Sequence, residues 1–189
     1  MTDKARVRAM IATARAARTA QERDRCRAAI REHVTQWCRR STLAPGSRVA
    51  AYEPLPTEPG SVALLAGLTA AGYQVIVPTT LPDRDLDWTV WCLSGDPTEP
   101  LGVAAITAAS LVLVPAFAVD PAGNRLGRGG GSYDRALERV NPRTPVAALI
   151  YSEEFLTEVP TDPWDRPVSA AVTPDGWFEL TPSGYRNSP

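Results

Sequence analysis

Apolar positions along this 189-residue chain change their period near residue 45. Before that point they recur at helical spacing. Asp3 to about Ala17 reads as one helix, and Thr19 opens a second through the capping box Thr-Ala-Gln-Glu, whose Glu22 can reach back to the Thr19 amide. Cys26, Ile30, Val34 and Trp37 form one stripe of that second helix, which predicts a face packed on a core. Pro45 and Gly46 are expected to end it. Beyond them come short apolar runs bounded by turn residues: RVAAY (48–52), QVIVP (74–78), LVLVP (111–115) and VAALIY (146–151). Continuous apolar runs of this length read as strands buried on both faces, hence a parallel sheet. LDWTVWCL (86–93) and GWFEL (176–180) add two more strands, and GSVALLAGLTAAG (60–72) a helix closed by Gly72.

Strand–helix–strand alternation predicts an α/β fold: a three-layer sandwich with a mostly parallel central sheet, preceded by an N-terminal helical pair. No internal repeat or long linker divides it, so residues 1–189 are expected to form one domain. The Pro-rich stretches 53–60 and 160–167 read as loops. In open parallel sheets ligands bind beyond the carboxyl ends of the strands. Three segments leave the sheet there, Tyr52–Pro59, Pro78–Asp83 and Pro115–Ser132, and one cleft could collect them.

Charge changes this picture only at the amino terminus. Net charge is −1, but residues 1–40 hold eleven Lys/Arg against four Asp/Glu. That basic segment fits a solvated helical face, a nucleic-acid patch or one wall of an anion site. No run of eighteen apolar residues occurs, so no membrane span is expected. The basic start carries no continuous apolar block of a secretory signal. Cys26, Cys38 and Cys92 are widely spaced and odd in number, which argues against a structural zinc site and fits a cytoplasmic protein. The single histidine, His33, falls inside a helix and suggests no catalyst.

The stretch NRLGRGGGSYDR (124–135) is the strongest chemical signal. Glycine loses the most backbone freedom on folding, so such a run belongs where backbone must approach something closely. Consecutive glycines before a helix expose N–H groups, the helix dipole adds positive charge, and Arg125 and Arg128 add more. Together these make a phosphate site, although the GxxxxGK[ST] of a Walker A loop is absent and GxGxxG is matched only loosely.

The longer segment VPAFAVDPAGNRLGRGGGSYDRAL resembles the signature of the 5-formyltetrahydrofolate cyclo-ligases, also called methenyltetrahydrofolate synthetases. That family's amino-terminal Lys-x3-Arg matches Lys4 and Arg8. Its Tyr-x-Pro…Glu segment matches YEPLPTE (52–58), and its carboxyl-terminal pattern matches VPTDPWDRPVSAAVT (159–173). The resemblance implies conversion of 5-formyltetrahydrofolate, including polyglutamylated forms, to 5,10-methenyltetrahydrofolate, using ATP and Mg²⁺. It puts ATP on Lys4, Arg8 and the loop Arg125, Leu126, Gly127, Arg128, Gly129, Gly130, Gly131, Ser132 and Tyr133. Folate falls to Glu53, Glu58, Arg128, the three consecutive glycines and Ser132. Arg128 and Asp134 take catalytic roles. Magnesium is implied at Asp134 and Asp165, hard oxygen donors of the kind it prefers. From the residues alone, Asp134 reads rather as a helix N-terminal charge and Asp165 rather as a turn residue, and Glu58 fits an ordinary exposed loop glutamate.

Several positions depart from the family pattern. Ser132 stands where the family has the first tyrosine of Gly-x-Gly-Tyr-Tyr-Asp, while Tyr133 is expected to point elsewhere. Trp164 replaces a common histidine and is expected to lean into the space that Ser132 leaves. Glu154 lies near a frequent glutamine. Two other readings remain open: a non-catalytic nucleotide- or folate-binding relative, favoured by Ser132, and an RNA-binding basic face, which lacks interleaved aromatics and any recognisable module.

Overall fold

The computed structural model describes residues 3–96 and 98–181. A seven-stranded sheet occupies the centre: β1 (Arg48–Ala50), β2 (Gln74–Thr80), β3 (Leu86–Val90), β4 (Ala109–Pro115), β7 (Val146–Leu149), β8 (Ala170–Thr173) and β9 (Gly176–Glu179), in the spatial order β3-β2-β1-β4-β7-β8-β9. The five inner strands are parallel, and β3 and β9 close the edges antiparallel. A separate two-stranded hairpin, β5 (Ala118–Val119) with β6 (Arg125–Leu126), stands after β4.

Period-two alternation divides the strand side chains between two cores. Val49, Val75, Val77, Leu111, Leu113, Leu149 and Val172 face one layer, where α2 (Ala20–Arg40) and α3 (Val62–Ala70) supply Ile30, Val34, Leu64, Leu65 and Leu68. Ile76, Val112, Val114, Val146 and Ala171 face the other, where α4 (Ser132–Leu137) supplies Ala136 and Leu137 and a 3₁₀ turn, Val103–Ala108, supplies Ile106. The expected three-layer sandwich is therefore present. The amino-terminal helices do not simply precede it. The second helix, α2, is itself part of an outer layer, against α3, β8 and β9. The first, α1 (Asp3–Ala17), buries Ile11 with Ala118, Leu126 and Val159 in a third, smaller cluster beside the hairpin.

The Thr19 capping box forms as expected: Glu22 N–H donates to Thr19 Oγ1 at 3.2 Å and Thr19 N–H to Glu22 Oε2 at 2.8 Å. Helix α2 stops earlier than Pro45 and Gly46. Ser41 takes extended backbone, and its N–H closes the helix on Trp37 O at 2.9 Å. Pro45 and Gly46 instead form the turn into β1, with Gly46 at φ +85°. Strand β8 and the hairpin were not legible as apolar runs, because two to four residues give no period to read. Among the described residues no helix is long and apolar enough to cross a membrane.

Strand order places a topological switch at β1 and β4: the chain leaves β1 toward β2 on one side, while β4 lies on the other. The loops after β1 and β4 diverge there, which is where a doubly wound sheet opens a crevice.

Candidate active site

Helix α1 carries Lys4 and Arg8 one turn apart into a cavity of about 620 Å³. Residues 125–127 and 129–131, Asp134, Arg135 and residues 160–162, 164 and 165 form its other walls. Lys4 Nζ donates to Asp162 Oδ2 at 2.6 Å and to Asp165 Oδ2 at 2.5 Å. Burial works against the Lys4 charge, but these two carboxylates outweigh it and hold the ammonium above its ordinary pKa. Arg8 Nε donates to the Gly127 carbonyl at 2.7 Å, fixing the start of the glycine loop against α1.

That loop needs its glycines for identifiable reasons. A Cβ at Gly127 would lie 2.5 Å from Arg125 Nη1, and Gly129 sits at φ +98°, where L side chains are strained. The amides of Gly129, Gly130 and Gly131 donate to no acceptor among the described residues. Gly131 caps α4 in left-handed conformation without a side-chain bond. Arg125 is almost fully buried. It donates from Nη2 to Asp134 Oδ1 at 2.7 Å, while its Nε has no partner. The Arg166 amide reaches the same Asp134 oxygen at 3.1 Å.

A smaller cavity of about 190 Å³ adjoins along the glycine loop, lined further by Pro78, Thr80, Leu86, Pro115, Arg128, Ser132 and Tyr133. Arg128 extends into solvent, its Nη1 3.6 Å from Glu58 Oε1. This contact brings the loops after β1 and β4 together. Glu58 is buried. Its Oε2 accepts the Leu55 amide at 2.9 Å, and Arg27 of α2 donates to the Glu58 and Pro56 carbonyls. The hydroxyls of Tyr52 and Tyr133 are buried without partners, and burial pushes both phenols well above their ordinary pKa, so they stay protonated.

Lys4, Arg8, Arg125, Leu126, Gly127, Gly129, Gly130, Gly131, Asp134 and Asp165 thus share the larger cavity, while Arg128, Ser132 and Tyr133 line the smaller. Two expectations change. Tyr133 does not point elsewhere: it lines the same cavity as Ser132, because α4 starts at Ser132 and both residues lie on its first turn. Trp164 does not lean toward Ser132. The turn at 162–165 carries it to the larger cavity. Neither Glu53 nor Glu58 lines these two cavities, and Glu53 accepts the Trp91 indole N–H at 3.1 Å.

Sequence reasoning missed Asp162, which shares Lys4 with Asp165. The Asp-x-x-Asp spacing in TDPWDR was the available signal. It also missed Arg15, one of the arginines of the basic amino-terminal segment. Arg15 is buried, pairs in bidentate fashion with buried Glu154 at 2.6 and 2.7 Å, and donates to the Ala116 carbonyl. Among the described residues no three His, Cys, Asp or Glu side chains gather as a ready-made metal cage. Magnesium needs none, since it is commonly held by one or two carboxylates together with substrate phosphates. Asp134 and Asp165, lining one cavity with unpaired glycine amides, suit such an ion with its phosphates.

Comparison with known proteins identifies the family and the fold. The sequence profile described as the 5-formyltetrahydrofolate cyclo-ligase family matches residues 1–174. A 5-formyltetrahydrofolate cyclo-ligase of Mycolicibacterium smegmatis is 36% identical over 144 residues, spanning 68% of this chain and 74% of that protein. The Escherichia coli cyclo-ligase is 32% identical over 78 residues, 41% of this chain and 43% of the relative. In fold, the chain is similar to the 5,10-methenyltetrahydrofolate synthetase of Mycoplasma pneumoniae (TM-score 0.76, 22% identity, 92% of this chain and 99% of the other). It is similar also to that of Aquifex aeolicus (TM-score 0.74, 21% identity, 100% and 97%). With a profile match over nearly its whole length and a relative aligned across two thirds of it, the chain belongs to the 5-formyltetrahydrofolate cyclo-ligase family.

Proposed function

We propose that the protein is an ATP-dependent ligase that cyclises 5-formyltetrahydrofolate, polyglutamylated or not, to 5,10-methenyltetrahydrofolate with release of ADP and phosphate. One observation carries the reading beyond family membership. Lys4, Arg8 and three unpaired glycine amides meet the carboxylates of Asp134 and Asp165 on one cavity, and a second cavity adjoins it along the same loop.

The chemistry asks for these residue types. A formamide oxygen is a weak nucleophile and a poor leaving group. In the proposed sequence it attacks the γ-phosphorus of ATP and ADP departs. The folate N10 then attacks the activated formyl carbon and loses its proton, and phosphate leaves with the former formyl oxygen. Phosphoryl transfer requires mainly positioning and charge stabilisation, so no histidine base is needed. Lys4 and Arg8 offer two cations to the phosphate chain, and the amides of Gly129–Gly131 offer donors whose direction the backbone fixes. Arg128, exposed on the loop between the cavities and within reach of Glu58, is placed to neutralise charge that develops near the formyl group. Glu58 provides an acceptor for pterin N–H donors on that side. Magnesium, held by Asp134 and Asp165 when bound with the nucleotide, would offset the charge of the triphosphate oxygens.

In the free protein these carboxylates are already bonded to Lys4 and Arg125. Their cations are therefore pre-assembled beside the place where phosphates would enter. The test is the double variant Lys4→Ala/Arg8→Ala. The KM for ATP should rise by roughly tenfold or more, equivalent to about 1.4 kcal/mol of binding, while the KM for folate moves less. Unchanged ATP affinity by calorimetry would mean that these cations only brace the loops.

A further inference from the structure

We infer that Trp164 is the surface on which the base of the nucleotide stacks, an inference that rests on reading the larger cavity as a nucleotide site. Of the five tryptophans it is the most exposed, at 67%. It belongs to none of the three apolar clusters, and its indole makes no hydrogen bond or ring contact among the described residues. An exposed indole usually sits where exposure costs the fold little. This one is instead held on a braced turn.

Pro163 occupies the second position of that turn, where its ring presets the backbone. The Asp165 amide donates to Asp162 O at 3.0 Å, and the Asp162 amide donates back to Asp165 Oδ2 at 2.7 Å. Lys4 ties both carboxylates to α1. Four polar contacts thus fix the turn that carries the indole, while Trp164 itself stays mostly exposed.

The wall it contributes differs from the rest of the cavity. The lysine, the arginines and the glycine backbone come from α1 and residues 125–135, whereas the loop 160–165 brings Pro160, Thr161 and Trp164 together with the carboxylates of Asp162 and Asp165. A nucleoside triphosphate joins an anionic chain to a planar aromatic, and this cavity offers cations for the one and an exposed indole for the other. Every base has a π-face, and stacking on an aromatic side chain is a recognition mode that needs no particular hydrogen-bond edge. Trp164 is thereby a residue that positions the nucleotide by its base, independent of the groups that hold its phosphates.

Calorimetry with two ligands isolates this role: Mg-ATP, and Mg-tripolyphosphate, which has the anionic chain and no base. Trp164→Ala should weaken Mg-ATP binding by roughly tenfold, the lower part of the range for one stacked base, and leave Mg-tripolyphosphate within about twofold. Trp164→Phe should recover most of the ATP affinity. Mg-ATP should also quench the fluorescence of the natural protein, with that response absent in Trp164→Phe. Equal binding of Mg-ATP by the natural protein and Trp164→Ala would overturn the stacking role while leaving the nucleotide site standing. Equal losses for both ligands would make the residue a support of the loop, not a base platform. A natural protein that bound neither ligand would remove the nucleotide reading itself, and the stacking role with it.

Discussion

Asp134→Asn should lower kcat by about 10²-fold or more, the scale expected when a charge contact at a transferring phosphoryl group is lost. The same change should raise the magnesium concentration needed for half-maximal activity. Asp134 has two duties in the free protein, and they are separable. Its Oδ1 accepts the buried Arg125 guanidinium and the Arg166 amide. Asparagine keeps an oxygen at that position, so both bonds survive in weaker form, although the buried Arg125 guanidinium loses its countercharge. A drop in Tm of a few degrees is the expected structural cost, equivalent to about 1–2 kcal/mol in a protein of this size. Turnover should fall far beyond what the remaining folded fraction explains. Kinetics across a magnesium titration, with thermal unfolding alongside, decides the matter. Unchanged turnover and magnesium dependence would reduce Asp134 to an anchor for Arg125.

The largest effect on stability should follow from Arg15→Met. The Arg15–Glu154 pair is buried on both sides, and its guanidinium also lies over the rings of Phe117 and Tyr151, 5.0 and 5.8 Å from their centroids. Replacing a buried ion pair by apolar groups is often neutral, but removing one partner leaves an uncompensated charge and costs about 3–5 kcal/mol. That would lower Tm by roughly 10 °C, taking about 2–4 °C per kcal/mol. Burial already pushes the Glu154 carboxyl above its ordinary pKa, with Arg15 partly opposing the shift. Without Arg15 the folded-state pKa rises further while the unfolded value stays ordinary. Such a group favours folding below its unfolded pKa and loses that contribution as pH rises through the folded pKa. The deficit of Arg15→Met should therefore be smallest near pH 4 and grow toward neutrality. Arg15→Met/Glu154→Gln should recover part of the loss. A deficit under about 1 kcal/mol, flat with pH, would contradict the assignment. The pair also bears on the site, because it fixes the far end of the helix that carries Lys4 and Arg8.

The sheet was legible where strands are buried on both faces, since such strands need continuous apolar runs whatever their neighbours. LVLVP and VAALIY could be read for that reason, although the second leaves the ladder at Leu149. Strand β8 was not legible. Its Ala-Ala-Val-Thr acquires strand character from pairing with β7 and β9, and short alanine-rich runs favour no backbone by themselves.

At the site, residue type carried the information. Glycines beside cations imply close approach to an anion in any fold, so the loop 125–131 could be named in advance, whereas Lys4 and Arg8 were named by the family resemblance alone. The partnerships could not be named. Arg15 meets Glu154 across 139 residues, and Lys4 meets Asp162 across 158. Only the folded sheet brings those segments together. Trp164 was misplaced for a related reason. Its neighbourhood depends on the turn that Asp162 and Asp165 close, and a substitution pattern says which residue changed without saying which wall it faces.

The most direct test mixes the natural protein with Mg-ATP and 5-formyltetrahydrofolate and follows methenyltetrahydrofolate absorbance and ADP release together. The expected result is that both appear only when both substrates are present, in a ratio of about one to one, as the proposed sequence of one phosphoryl transfer per ring closure requires. Absence of cyclisation at every folate concentration, or ADP release indifferent to folate, would contradict it.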